Sequence, residues 1–306
     1  AIMATLTIES RQNTTRIAAW GLMLAVSLLP DILFQEFLSI PLPWLFGAKI
    51  LLLGLCFLLS LGWSVIKPIR GFIVVLLAVL LLEYGRALAL DTNLWQGWFG
   101  GANPGFVPGM LGNQLLRVAA AFIMIGLLFL LRYKPGRAYL TKGQLDAPVG
   151  PIRLLAIKEG EIKWSRFGWL SALAIGGGTL VFLLIGSGMR PGNLRLLPGF
   201  LPAILLFATM NAFAEEVTYR SALLAPLRNV LGDTDRIWIT ALFFGIAHFY
   251  GVPYGVVGVL MATVLGWLLS KSMVETEGLF WPWFIHFVQD VLIFSFIALG
   301  TITPGG

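Results

Sequence analysis

The sequence predicts an all-α protein, a polytopic transmembrane helix bundle of eight or nine spans. Three observations predict it. Of 306 residues, 58% are hydrophobic and only 12% charged, where soluble domains carry about 25% charged residues. Mean hydropathy is +0.87, so no ordinary globular shape could keep this much apolar surface from water. The apolar residues also fall in blocks near the ~20 residues that a spanning helix needs.

Taken in order, the blocks are 17–38, 44–66, 70–90, 111–132, 168–188, 199–224, 236–250, 255–271 and 280–300. The first contains Pro30 and Asp31 and lacks a small-residue cleavage site, so it reads as a span rather than a removable signal. The seventh and eighth are short, which leaves eight or nine spans open. Gly/Pro-rich stretches at 99–109 and 188–198 read as turns outside the helices. The longest polar stretch, 133–167, is too short for a core of its own and reads as an ordered cytoplasmic connector. This divides the chain into a four-helix membrane region (1–132), the connector (133–167) and a second membrane domain (168–306).

Charge placement orients the bundle. With nine spans and the N-terminus inside, 16 of the 21 Lys/Arg residues lie on the inner side. Lys49, Arg86, Arg117, Arg190 and Arg195 remain outside. The net charge of +6 sits between apolar blocks rather than along one stripe, which argues for a lipid bilayer as partner and against nucleic acid. Cys56 is the single cysteine and lies in an apolar run, so a disulfide and a multi-thiolate metal site are excluded. Trp164, Trp169, Trp281 and Trp283 lie near predicted helix ends, as an interfacial aromatic belt would.

Ionisable groups within spans cost several kcal/mol and mark candidate sites. In the early half, Glu83 and Arg86 are i,i+3 neighbours and read as a local ion pair, with Arg117 apart from them. The late half holds Glu215, Glu216, Arg220, His248, His286 and Asp290, including both histidines of the chain. At ~1.5 Å per residue, Glu215 lies ~14 Å, His286 ~9 Å and His248 ~18 Å from the inner ends of their helices, so the three can converge. Glu216 and Arg220 are spaced i,i+4 with the acid first, the favourable order for an ion pair that clamps this turn. Glu215 is thereby expected to be the unpaired, chemical acid. His286 and Asp290 share a face at i,i+4, and Phe244 lies one turn before His248.

"EEVTYR" (215–220), "FGIAH" (244–248) and "HFVQD" (286–290) follow one another on separate helices. In this order they resemble the EExxxR, FxxxH and HxxxN/D motifs of the CPBP family of intramembrane proteases. That family groups type II CAAX prenyl endopeptidases with bacterial Abi proteins. The resemblance covers about 199–295; the first four helices lie outside it and point to a bacterial branch. It implies an endopeptidase of membrane-associated or lipidated proteins or peptides, in a bacterial inner membrane, where the charge placement sets the N-terminus on the cytoplasmic side. Glu215 and His248 would activate a water, and His286 with Asp290 would support the oxyanion. Glu216, Arg220 and Phe244 would be supporting residues. Many members have asparagine where this chain has Asp290, and an ionised aspartate cannot donate to an oxyanion. It would have to be protonated or act through His286.

The resemblance implies glutamate-based catalysis without a cofactor. The same nitrogen and oxygen donors, Glu215, His248 and His286, leave a Zn²⁺ set as the alternative. The HExxH spacing of zincins is absent, since the histidines are 38 positions apart. Two other classes stay open: a proton-coupled transporter and a non-catalytic immunity or chaperone protein of the same fold. A transporter would show paired broken helices in both halves, whereas the polar groups gather in the last third.

Overall fold

The computed structural model describes residues 2–101, 105–186 and 191–300; Arg190, assigned above to the outer side, lies outside them. The helices are α1 (Ile2–Val26), α2 (Leu29–Ile32), α3 (Leu45–Gly62), α4 (Arg70–Leu90), α5 (Asn93–Phe99), α6 (Phe106–Leu130), α7 (Trp164–Gly186), α8 (Leu197–Glu215), α9 (Ala222–Leu227), α10 (Asp233–Ala247), α11 (Val256–Thr276) and α12 (Phe280–Ala298). Two π-helical turns, Leu33–Phe37 and Glu216–Ser221, interrupt the α geometry. No β-strand occurs among the described residues.

Seven helical segments are long and apolar enough to cross a membrane, and eight if the bent pair Arg11–Val26 and Leu29–Phe37 is one span. The chain is an integral membrane protein. The seventh predicted span, 236–250, corresponds to α10, which has 15 residues. At ~1.5 Å per residue that is ~22 Å, short of the ~30 Å hydrocarbon core. Leu130 and Ile185 are among many large apolar side chains left exposed, as lipid-facing positions require.

The chain forms two compact units, one from residues up to Leu81 with Ala222–Trp267, the other from Leu82–Ser221 with residues from Leu268 onward. In the first, the 50° break after Val26 follows from local chemistry. Pro30 enters the first turn of α2, where its missing N–H costs nothing, and Ser27 Oγ accepts from Leu29 N at 3.1 Å. Lys49, assigned above to the outer side, is buried and pairs with Asp31 beside this break. Asp235 in the first turn of α10 accepts from Arg16 Nε at 2.9 Å and Trp20 Nε1 at 3.0 Å.

Helices α10 and α11 approach closely through glycine. A Cβ on Gly245 would meet the Thr263 hydroxyl and come within 2.9 Å of the Val259 carbonyl oxygen. In lipid, helices gain little from burying apolar area against one another, so such close packing supplies much of the cohesion. Gly245→Leu is expected to cost about 1–3 kcal/mol or more through overpacking. A thermal midpoint in detergent equal to wild type would contradict this.

In the second unit α7 packs on α12 along small residues. Gly168 lies against the Trp281 indole, and a Cβ on Gly176 would stand 3.2 Å from Val288 Cγ1. Helices α6, α8 and α12 share a core of Met110, Ile204, Phe207, Ala208 and Phe294. The 133–163 connector, which carries isolated bridges Pro148–Lys163 and Ile152–Ile157, is clipped to the α11–α12 junction. Gln144 N donates to Thr276 O at 2.7 Å and Leu279 N to Thr141 O at 2.8 Å. Gly143, at φ +80°, sits against Gly278 where no side chain would fit. Glu275 accepts from Gly150 N at 3.1 Å and Trp164 Nε1 at 2.9 Å, and pairs with Lys271. Trp281 Nε1 donates to Leu145 O at 3.1 Å. Trp164 and Trp281 are thus buried parts of this clip rather than an interfacial belt, because Glu275 of α11 and the Leu145 carbonyl of the connector accept from their indole N–H groups.

Candidate active site

The charged stretch of the sequence forms the junction between α8 and a π-helical turn. Glu215 ends α8, and Glu216–Ser221 is wound as π-helix rather than the α-helix assumed from spacing. Such turns recur at functional sites because the extra residue re-aims neighbouring side chains. Here both glutamates reach the same histidine of α12, where α-helical spacing had sent them apart.

His286 Nδ1 lies 2.7 Å from Glu216 Oε1. A carboxylate oxygen only accepts, so Nδ1–H donates to it, and Nε2 then faces Glu215 Oε2 at 3.7 Å and Asp290 Oδ1 at 3.6 Å. Arg220 Nη1 stands 3.0 Å from the same Glu216 Oε1, and neither side chain is exposed at all. Glu216 therefore joins the arginine to the imidazole and does more than neutralise its neighbour.

Glu215 is not the unpaired acid expected from the sequence. Arg117 Nη1, from α6, donates to its Oε1 at 2.7 Å, and Asn211 Nδ2, one turn earlier on α8, lies 3.3 Å from the same oxygen. Asn211 also donates to Asp290 Oδ2 at 3.0 Å and accepts from Gln114 Nε2 at 3.2 Å. Glu83, read as a local partner of Arg86 (3.0 Å), also accepts from Tyr219 OH of the π turn at 3.3 Å. Sequence reasoning missed Asn211, Gln114 and Tyr219, and treated Arg117 as separate. Asn211 had a local signal: a polar residue i,i+4 from Glu215 in an apolar run. Arg117 had none, because its partner lies 98 residues away.

His248 belongs to the first unit, as the C-cap residue of α10. Its Nδ1 is 2.8 Å from the Phe244 carbonyl oxygen. A carbonyl only accepts, so Nδ1 carries a proton, and in the neutral ring Nε2 carries the lone pair. The Phe244 ring, 4.2 Å from the imidazole centroid to centroid, backs it. Phe244 thus fixes the tautomer with its backbone and the ring plane with its side chain. Gly258 permits the start of α11 to lie against the carbonyls of His248 and Pro253.

Among the described residues, no three of His, Cys, Asp and Glu are grouped as a metal ion would need. In the second unit Glu215 is paired with the Arg117 guanidinium.

Residues 197–292 match the family model described as type II CAAX prenyl endopeptidase Rce1-like. No curated protein and no solved structure gave a match. The matched stretch contains Glu215, Glu216, Arg220, Phe244, His248, His286 and Asp290 in motif order. Over this third of the chain the sequence is thus similar to the Rce1-like type II CAAX prenyl endopeptidases.

Proposed function

We propose that the protein hydrolyses a peptide bond of a membrane-associated or lipidated protein or peptide, using a water activated by Glu215 and His248 without a metal. The water gives a proton to Glu215 as its oxygen attacks the scissile carbonyl carbon. The tetrahedral intermediate then collapses, the C–N bond breaks, and the leaving amine takes the proton back from Glu215. His286 Nε2 faces the developing oxyanion, and Asp290 acts through His286. Proton transfer by a positioned group contributes about 10²–10⁴-fold, and a donor aimed at the oxyanion about 10²–10³-fold. The membrane would be a bacterial inner membrane, with the N-terminus and the basic connector cytoplasmic.

The observation that carries this reading is the convergence of Glu215, Glu216 and Asp290 on one buried imidazole, within the family-matched stretch. The test uses the purified full chain in proteoliposomes with a farnesylated peptide ending in a CAAX sequence, its unprenylated counterpart, and a transmembrane reporter. Cleavage mapped by mass spectrometry is expected for wild type and lost in His248→Ala and His286→Ala at unchanged yield. Wild-type turnover by His248→Ala would overturn the mechanism. Loss of activity in a tight chelator, restored by Zn²⁺, would overturn the metal-free reading.

A further inference from the structure

We propose that Asn211, Gln114 and Arg117 are positioning residues that decide which oxygen of Glu215 and of Asp290 faces His286. The inference rests on the reading of Glu215 as the acid of the site. A carboxylate has two equivalent oxygens, and rotation about its last bond exchanges them. In this unit that equivalence is removed twice by one amide. Asn211 Nδ2 has two N–H groups, and they go to Glu215 Oε1 at 3.3 Å and Asp290 Oδ2 at 3.0 Å. The oxygens left over, Glu215 Oε2 and Asp290 Oδ1, are the two that stand 3.7 and 3.6 Å from His286 Nε2.

The amide cannot serve the other way round. Flipped, its oxygen would face both carboxylates, which only accept when ionised. Gln114 Nε2 donates to Asn211 Oδ1 at 3.2 Å and so holds the productive orientation. Gln114 and Asn211 are 1% and 8% exposed, so water cannot substitute for either contact at low cost. Arg117 adds the second donor on Glu215 Oε1 at 2.7 Å. Gln114 and Arg117 are i,i+3 on α6 and present one face. Helix α6 lies outside the matched stretch 197–292, so part of the site's geometry is supplied by the membrane region that precedes the family domain.

The test compares Asn211→Ala, Arg117→Gln and Arg117→Lys with Glu215→Gln, in proteoliposomes with the farnesylated peptide. A misplacement of ~1 Å costs roughly 100-fold in rate, so Asn211→Ala and Arg117→Gln are expected to lower kcat about that much with KM within about threefold. Arg117→Lys, which keeps one charged donor, should recover at least about tenfold of that loss. Asn211→Ser is run beside Asn211→Ala so that a folding failure of one leaves the other to decide. Independently of any substrate, the Arg117→Gln/Glu215→Gln double variant should melt closer to wild type than the two single shifts added together. Additive melting shifts would overturn the pairing. Wild-type kcat in Asn211→Ala and Arg117→Gln, with Glu215→Gln inactive, would overturn the positioning role alone. Activity in Glu215→Gln would instead overturn the reading of the site on which it rests.

Discussion

Glu215→Gln is expected to abolish cleavage and leave a folded protein. Glutamine has the same shape, and its oxygen can still accept from Arg117 and Asn211 where Glu215 Oε1 does. What it cannot do is take a proton, and loss of a general base costs about 10²–10⁴-fold. The stability cost should be modest, because Arg117 is 25% exposed and retains access to polar partners. The neighbouring substitution separates the two glutamates. Glu216→Gln removes the carboxylate shared by His286 Nδ1 and Arg220 Nη1, so its main effect should be a lowered thermal midpoint. Turnover in proteoliposomes and thermal unfolding in detergent, measured on both variants, give the comparison. Full activity of Glu215→Gln on a cleaved substrate would sink the mechanism.

What could be read in advance follows the range of the interactions. The membrane class and most spans come from apolar block length, a local property. The Glu216–Arg220 contact also spans only one helical turn. The family-matched stretch is recognisable because its motifs keep fixed spacing within each helix. The rest required tertiary structure. Nothing near Arg117 says that it meets Glu215, nor that Gln114 orients Asn211 across 97 positions. The π-helical turn at Glu216–Ser221 changes which way successive side chains point, so a projection at 3.6 residues per turn separated two glutamates that share His286. Trp164 and Trp281 carried a composition signal for the membrane interface, yet their indole N–H groups are spent on Glu275 and Leu145. Periodicity reports which residues are apolar, not which acceptor a polar edge will find.

Arg220→Ala is expected to be the most destabilising single change in the site. Arg220 and Glu216 are both wholly buried, with Arg220 Nη1 3.0 Å from Glu216 Oε1. Removing one member of a buried pair costs about 3–5 kcal/mol, because the remaining charge keeps its desolvation penalty and loses its main compensation. That is a large share of the 5–15 kcal/mol that holds a typical fold together. Alanine also deletes one of the largest fully buried side chains in the chain, which adds a cavity. The two contributions can be separated. Arg220→Met keeps most of the volume and removes only the charge, while Arg220→Met with Glu216→Gln removes both charges. If the charge dominates, Arg220→Met should melt nearly as low as Arg220→Ala, and the double variant should recover much of the loss. If the cavity dominates, Arg220→Met should stay near wild type. Since Glu216 also holds His286 Nδ1 at 2.7 Å, the recovered double variant should fold well yet turn over more slowly than wild type. Stability and activity would then part at Glu216: its charge balances Arg220 to keep the turn folded, and the same oxygen aims His286 at Glu215.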